Sequence, residues 1–217
     1  MVGVVKFWGQ KFPTKATSPP APLHKWIGEI CCVMSAKLKA RDSIIPYFIT
    51  ITVVGWVGGL SRPFYKDILL DSLKHCQTEK GLLIHAWVIM NNHAHLVISE
   101  GGDNDLPGIV GDCKKYTSRT IVDAIANNKQ ESRKEWMLNM FSFAGTRNKA
   151  NDKYQFWQEG YHPIALDTED KLKQRLNYLH ENPVRAGMVW EAAQYRYSSA
   201  IDYYEGKKGL LDVVLLY

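Results

Sequence analysis

Cysteine is scarce in this chain of 217 residues, and its four cysteines follow no metal-binding spacing. Cys31, Cys32, Cys76 and Cys113 form neither paired Cys-x-x-Cys motifs nor a regular disulfide framework. This pattern excludes a cysteine zinc finger and a small secreted domain held together by disulfides. Thiols without such a framework are typical of a reducing compartment, so we expect a cytoplasmic protein.

Long apolar runs are missing as well. No stretch reaches the roughly 20 residues that a membrane-spanning helix needs, and the N-terminus lacks the apolar core of a signal peptide. Charge is only modestly unbalanced, since 27 Lys and Arg against 22 Asp and Glu give a net charge of +5. This balance permits a nucleic-acid partner without requiring one. We expect a soluble protein with no membrane partner.

The first part of the chain differs from the rest in composition. Residues 13–22 are rich in Pro, Ser and Thr, which is typical of a linker. We therefore predict that residues 1–45 are a flexible N-terminal extension whose deletion is tolerated. The folded domain is then predicted to be residues 46–217. Hydrophobic residues make up 46% of the whole chain, which is enough to build one core.

The spacing of apolar residues in this domain predicts strands and helices in the order β-α-β-β-α-β-α. The predicted strands are Tyr47–Val54, Leu82–Met90, Ala94–Ile98 and a fourth within Tyr154–Leu166, and the predicted helices are Phe64–Lys80, Leu106–Ala126 and Glu169 to about Glu181. We predict an α+β fold of the ferredoxin-like split βαβ type, an antiparallel sheet with helices packed on one face. Residues 127–153 are interpreted as an insertion carrying a short helix, and residues 184–217 as a C-terminal extension.

The predicted hairpin carries the most informative motif. Asn91 and Asn92 tolerate positive φ and predict its turn. His93 and His95 follow, and residues two apart on a strand share one face, while the apolar residues between and after them face the core. Two neighbouring imidazoles are half of a divalent metal site. Paired histidines also occur on solvated sheet faces.

The last predicted helix offers further groups for such a site. Leu172, Leu176 and Leu179 form its buried stripe, whereas Tyr178 and Asn182 lie four residues apart and therefore close together. The negative end of the helix dipole favours a cation there. The alternative interpretation is that Tyr178 packs and Asn182 caps the turn.

Four segments, in this order along the chain, resemble the REP-associated tyrosine transposases, relatives of the single-tyrosine HUH transposases of bacterial insertion sequences. They are Asn92-His-Ala-His-Leu, Phe156-Trp with His162-Pro-Ile, Tyr178-Leu-His-Glu-Asn-Pro-Val-Arg-Ala-Gly187 and Tyr197-Ser-Ser-Ala200. The resemblance extends from about Tyr47 to Tyr203. Its specificity comes from the combination of His-x-His with the Tyr-x-x-x-Asn-Pro-Val-Arg-Ala-Gly run.

The resemblance implies a role for each residue that matches these motifs. His93 and His95 correspond to metal ligands, Asn182 to the third ligand and Tyr178 to the nucleophile. The implied cofactor is Mg²⁺ or Mn²⁺, and the implied partner is single-stranded DNA with a hairpin, bound by a monomer or a homodimer. In such a reaction the tyrosine oxygen attacks a DNA phosphate and leaves a 5′-phosphotyrosine and a free 3′-OH. Tyr116, on a basic helix, is the alternative nucleophile.

Basic residues provide candidate contacts to DNA. Lys114, Lys115 and Arg119 share a predicted helix and could follow the phosphates. Arg185 comes shortly after the predicted nucleophile, and Arg196 stands between two tyrosines, a combination suited to stacking plus charge. A solvated structural role is the alternative for each of them.

Two other functional classes fit part of the pattern. A non-catalytic nucleic-acid-binding regulator would keep the basic and aromatic surface without depending on the histidines and Tyr178. A His-x-His amidohydrolase would need a barrel of about 250 residues with repeated βα units. The predicted order of elements does not show such repeats, so the strand-transferring enzyme is the favoured prediction.

Overall fold

The computed structural model describes residues 45–101, 105–147 and 153–216. The predicted N-terminal extension lies outside these ranges apart from its last residue, so its role stays a prediction. No helix within the described ranges is long and apolar enough to cross a membrane.

A four-stranded antiparallel sheet forms the centre of the fold. Its strands are β1 (Tyr47–Thr52), β2 (Leu82–Ile89), β3 (His93–Glu100) and β4 (Ile164–Ala165), in the spatial order β2-β3-β1-β4. The hairpin of β2 and β3 turns at Asn91 and Asn92 as predicted, but neither residue adopts the positive φ on which that prediction was based. The predicted α+β class with an antiparallel sheet is confirmed.

Two long helices cover one face of the sheet. They are α1 (Pro63–Lys80) and α2 (Leu106–Asn127), which pack on each other and share one apolar core with the inward residues of β1, β2 and β3. Alternation along β1 sends Ile49 and Ile51 to this face, where both are buried. A third helix, α3 (Lys134–Thr146), lies in the segment interpreted as an insertion, and it adds Met137 and Phe141 to the core.

The helix that carries Tyr178 lies on the other face. This helix, α4 (Glu169–His180), contacts β2 and β3, and its leucine stripe is buried. The prediction of helices on one face therefore holds for α1 and α2, but not for α4. The physical reason is that Ala86, Val88 and Val97 make the second face apolar too, and they need a covering layer.

Short elements complete the domain. They are α5 (Asn182–Arg185), α6 (Ala200–Tyr204) and two 3-10 turns, Val54–Trp56 and Ala192–Gln194. The C-terminal segment also covers the outer edge of β2, because the amide of Val214 donates to the Ile84 carbonyl at 2.9 Å and the amide of Ser199 donates to that of Trp87 at 2.9 Å. The extension predicted for 184–217 is thus paired with the sheet.

The fourth strand is much shorter than its predicted segment. Ile164 and Ala165 form a ladder with β1, opposite Phe48 and Tyr47, and the amide of Gln158 adds a single hydrogen bond to the Thr52 carbonyl at 2.7 Å. Gly160 and His162 have φ of 69° and 34°, and a left-handed backbone cannot continue an extended strand. The segment before β4 is consequently a loop that crosses the end of β1.

Candidate active site

The two histidines of β3 lie side by side on the face covered by α4. His95 stands opposite Thr50 of β1 and His93 opposite Thr52, and the two imidazole ring centres are 4.7 Å apart. The shared face predicted from strand alternation is therefore observed. His95 is only 5% exposed, which makes it a buried polar side chain rather than a solvated one.

The turn that precedes the histidines is held from three sides. The amide of Leu60 donates to the Asn91 carbonyl at 2.8 Å, and the amide of Val53 donates to the Asn92 carbonyl at 2.8 Å. The ammonium of the buried Lys66 donates to Oδ1 of Asn91 at 3.2 Å. These bonds fix the start of β3, and so they fix where the imidazoles point.

Each imidazole uses Nδ1 for a protein contact. Nδ1 of His93 donates to Oδ1 of Asn92 at 2.7 Å, and Nδ1 of His95 lies 2.8 Å from Oγ1 of Thr50. Nε2 of His95 is buried and has no hydrogen-bond partner among the described residues. A buried nitrogen without a partner is costly, and a metal ion would satisfy it while the Nδ1 contact orients the ring.

Burial keeps both imidazoles neutral. The pKa of His95 is lowered to about 3, first by desolvation, then by repulsion from His93 when both imidazoles carry a proton, and then by the positive charges of Arg175 and Arg185. Burial also lowers the pKa of His93. Neutral imidazole is the form that binds metals, so the pair is ready to do so at neutral pH.

Tyr178 reaches this histidine pair from α4. Its ring centre lies 5.3 Å from that of His95 and 6.1 Å from that of Phe48, both in edge-to-face geometry. The side chain is 37% exposed, which leaves it accessible from solvent. The structure thus brings the predicted nucleophile to the predicted metal ligands, although 82 residues and the core helices separate them in sequence.

Arg185 holds the end of the Tyr178 helix. Its Nη2 donates to the backbone carbonyl of Tyr178 at 2.7 Å, and its guanidinium carbon lies 4.6 Å from the centre of the tyrosine ring. Because the ring face attracts a cation, Arg185 fixes both the backbone and the ring of Tyr178. Its predicted DNA contact stays a prediction.

Asn182, the predicted third ligand, begins the short helix α5 and is half-buried. Among the described residues, no hydrogen bond joins its amide to either histidine. The turn Asn182–Arg185 is helical, although the residue before a proline usually avoids the α region. The ligand role of Asn182 stays a prediction.

A cleft of about 360 Å³ opens beside Tyr178 and His95. Arg175 lies in its wall, three residues before Tyr178, with its guanidinium carbon 5.2 Å from the centre of the Phe48 ring. The sequence reasoning missed this residue, although its spacing of three from Tyr178 was a usable signal. The other lining residues are Thr50, Thr52, Gln158, Glu159, Gly160, Tyr161, His162 and Ile164.

Lys114 orders the far wall of this cleft. Its ammonium donates to the carbonyls of Gln158 and Gly160, at 2.8 and 2.9 Å, so it holds the loop before β4. The sequence predicted a phosphate contact for Lys114. These two bonds give it a structural role, which is the alternative that the sequence left open.

The remaining predicted residues lie away from the histidine pair. Tyr116 is 59% exposed on α2 and lines a separate pocket between α1 and α2, next to Asp112 and Cys113. Lys115 and Arg119 are exposed on the same helix, and Arg196 is exposed before α6. The structure brings Tyr178 to the histidines and leaves Tyr116 on the other side of the sheet.

The donor set limits what a metal could use here. In the part of the chain that the structure describes, no group of three or more His, Cys, Asp or Glu side chains could hold a metal ion. A metal bound by His93 and His95 would therefore need an amide oxygen, water or DNA phosphate oxygens to fill its shell. Such an incomplete protein shell suits a site that must also bind substrate.

Comparisons with known proteins agree with the predicted family. Residues 60–144, which include both histidines, match the family model of IS200-like transposases. No curated protein matches the chain. The structure of a REP-associated tyrosine transposase bound to a REP hairpin is similar at a TM-score of 0.53 and 16% identity, over 80% of this chain and 87% of that one.

A second solved structure, a putative transposase from Deinococcus radiodurans, is similar at a TM-score of 0.37 and 17% identity, over 62% of this chain and 88% of that one. The match to the first structure shows a shared fold. Together with the family model, it confirms the resemblance predicted from the sequence motifs.

Proposed function

We propose that this chain is an IS200-like transposase that cuts and rejoins single-stranded DNA through a covalent tyrosine intermediate. The observation that carries the proposal is the buried, unpartnered Nε2 of His95, with His93 beside it and the Tyr178 ring 5.3 Å from the His95 ring. His180 also has a buried ring nitrogen without a hydrogen-bond partner among the described residues, so it is the second imidazole and the tyrosine beside His95 that distinguish this site.

His93 and His95 would hold a Mg²⁺ or Mn²⁺ ion through their Nε2 atoms, with Asn182 as the proposed third ligand. Imidazole nitrogens with oxygen donors suit Mn²⁺ well, whereas Mg²⁺ prefers oxygen. When bound, the ion supplies Lewis-acid polarisation of the scissile phosphate and orients it.

Tyr178 is the proposed nucleophile. Its phenol oxygen attacks the phosphorus, which forms a tyrosine O–P bond and breaks the bond from phosphorus to the 3′ oxygen of the preceding nucleotide. The phenol loses its proton to solvent and the leaving 3′ oxygen gains one, so the products are a 5′-phosphotyrosine and a free 3′-OH. A 3′-OH attacking the phosphotyrosine reverses the step and joins strands.

Two arginines favour this chemistry by their position. Arg175 and Arg185 flank Tyr178, and their positive charges add to the desolvation that lowers the pKa of His95. Among the described residues, no carboxylate lies within ion-pair distance of either guanidinium. Arg175, in the cleft wall, is therefore placed to bind a phosphate oxygen, while Arg185 holds Tyr178.

The proposed substrate is a DNA hairpin with single-stranded flanks. The supporting comparison is the REP-associated transposase of similar fold, which was solved with a REP hairpin bound. The exposed cations Lys115, Arg119 and Arg196 are proposed contacts to its backbone.

The test is a denaturing gel of the protein with a hairpin oligonucleotide from the DNA flanking its gene, in Mn²⁺. The label belongs on the 3′ end, because the tyrosine keeps the fragment downstream of the cut. We expect a labelled band at the mass of protein plus DNA, absent in Tyr178→Phe and present in the control Tyr116→Phe.

A hairpin that is bound with unchanged strength but never attached would contradict the enzymatic proposal and favour the non-catalytic regulator. Attachment that survives in Tyr178→Phe but not in Tyr116→Phe would move the nucleophile to α2.

A further inference from the structure

An exposed tryptophan stands beside the histidine pair. The ring centre of Trp56 lies 6.0 Å from that of His93, and its side chain is 62% exposed. His93 is followed by His95 and then by Tyr178, each ring within 5.3 Å of the next. Trp56 therefore ends a row of rings that starts at the proposed nucleophile.

The backbone of Trp56 is unusual for a large side chain. Its φ is 56°, in the left-handed region, directly after Gly55 with a φ of 60°. Bulky residues rarely adopt this conformation, and such outliers persist where the surrounding structure imposes them, often at ligand sites. Packing does not account for the strain here, because most of the indole is exposed to solvent.

The surrounding contacts impose this conformation. The amide of Val54 donates to the Phe156 carbonyl at 2.9 Å and the amide of Val57 donates to the Val54 carbonyl at 3.2 Å, which closes a tight 3-10 turn. Nδ2 of Asn92, the partner of His93, donates to the Trp56 carbonyl at 3.4 Å. The tryptophan is thus tied to the same asparagine that orients the histidine.

We propose that Trp56 is a stacking site for one unpaired base of the DNA strand, on the His93 side of the scissile phosphate. The inference rests on the proposed function and adds to it a contact that sets where the strand lies over the histidines. An exposed indole on a fixed turn presents a large flat face, and proteins bind single-stranded DNA by stacking bases on such faces. Every base has such a face, so the site accepts any base.

The test combines protein and DNA changes in one cycle. The parent is the Tyr178→Phe protein, which removes cleavage from the measurement, and the probe is a DNA hairpin with single-stranded thymidine flanks. Single abasic sites are placed in turn along the flanks, and Kd is measured for the parent, for Trp56→Ala, and for the control Trp190→Ala. Trp190 is also exposed, but it makes no described ring contact with the histidines.

We expect Trp56→Ala to weaken binding by about 5- to 100-fold, and Trp56→Phe to restore most of the loss. At one abasic position the Trp56→Ala penalty should disappear, because the base that it stacks on is already missing. Thermal unfolding of both variants shows whether the turn itself has changed.

The outcomes separate the stacking site from the proposed function. Penalties of Trp56→Ala that are the same at every abasic position, or no penalty at all, would overturn the stacking site while hairpin binding by the parent stands. A parent protein that does not bind single-stranded probes would contradict the proposed function and, with it, this inference.

Discussion

At the scale of single residues, the proposal depends on which nitrogen of His95 is free. Thr50 contacts Nδ1 at 2.8 Å, and Nε2 is buried with no partner in the part of the chain that the structure describes. Sequence reasoning found both histidines, because strand alternation alone places them on one face. It did not find Thr50, because pairing between β1 and β3 is a long-range contact that the register decides.

Thr50→Val removes this contact and keeps the shape of the side chain. Groups that orient a metal-bound histidine contribute about 10- to 100-fold to affinity, so we expect Mn²⁺ affinity to fall by that factor in a calorimetric titration. Thr52→Val, opposite His93 in the same strand, is the matched control and should leave the affinity nearly unchanged. Equal affinities for the two variants would contradict the orienting role of Thr50.

Substitution of Arg175 tests the proposed phosphate contact in the cleft. A hydrogen bond to a charged group contributes about 1.5–3 kcal/mol, which corresponds to about 10- to 150-fold in rate or binding. We expect Arg175→Gln to slow formation of the DNA adduct by such a factor, with partial recovery in Arg175→Lys. Lys173→Gln, in an exposed ion pair on the same helix, should change little. An undiminished rate in Arg175→Gln would remove this residue from the site.

At the scale of elements, the helices and the hairpin could be predicted, and the layers could not. The helix over Glu169–His180 was predicted from its leucine stripe, and the structure shows Thr168 as its N-cap, accepting from the amide of Lys171. The face on which it packs depends on the second apolar surface of the sheet, a property of several strands together. The length of β4 could not be predicted either, because a left-handed backbone at His162 restricts the strand to two residues.

Burial of His180 at the end of α4 makes the stability of the fold depend on pH. His180 is fully buried, its Nε2 lies 2.9 Å from Oγ of Ser199, and no described residue bonds its Nδ1. Burial lowers its pKa to about 4. Between the unfolded value of 6.5 and about 4, the unfolded chain therefore binds more protons at this group, and stability falls as pH falls.

We expect the free energy of unfolding to decrease from pH 6.5 towards pH 4 and the decrease to be smaller in His180→Gln, as measured by urea denaturation. The other buried histidines contribute to the remaining slope. If the free energy of unfolding of His180→Gln fell with pH as steeply as that of the unsubstituted protein, this histidine would take up its proton without unfolding the chain.

At the scale of the whole molecule, the C-terminal segment is part of the sheet layer. Leu211 and Leu216 are buried, and Val214 pairs with β2 through Ile84. An uncovered strand edge pairs readily with other chains. Composition alone did not reveal this role, since the pairing depends on a return of the chain to β2.

Deleting residues 210–217 uncovers this edge. We expect a lower unfolding temperature and a concentration-dependent increase in mass by light scattering, whereas deletion of residues 1–45 should change neither. A monomer of unchanged stability after the C-terminal deletion would mean that the edge is protected in another way.

The most direct measurement for the whole account is the identity of the residue that carries DNA. After reaction with the hairpin in Mn²⁺, nuclease and protease digestion followed by mass spectrometry locates the nucleotide adduct on one peptide. We predict a phosphotyrosyl nucleotide on Tyr178, in the peptide that ends α4. An adduct on Tyr116, or on any residue away from His93 and His95, would contradict it.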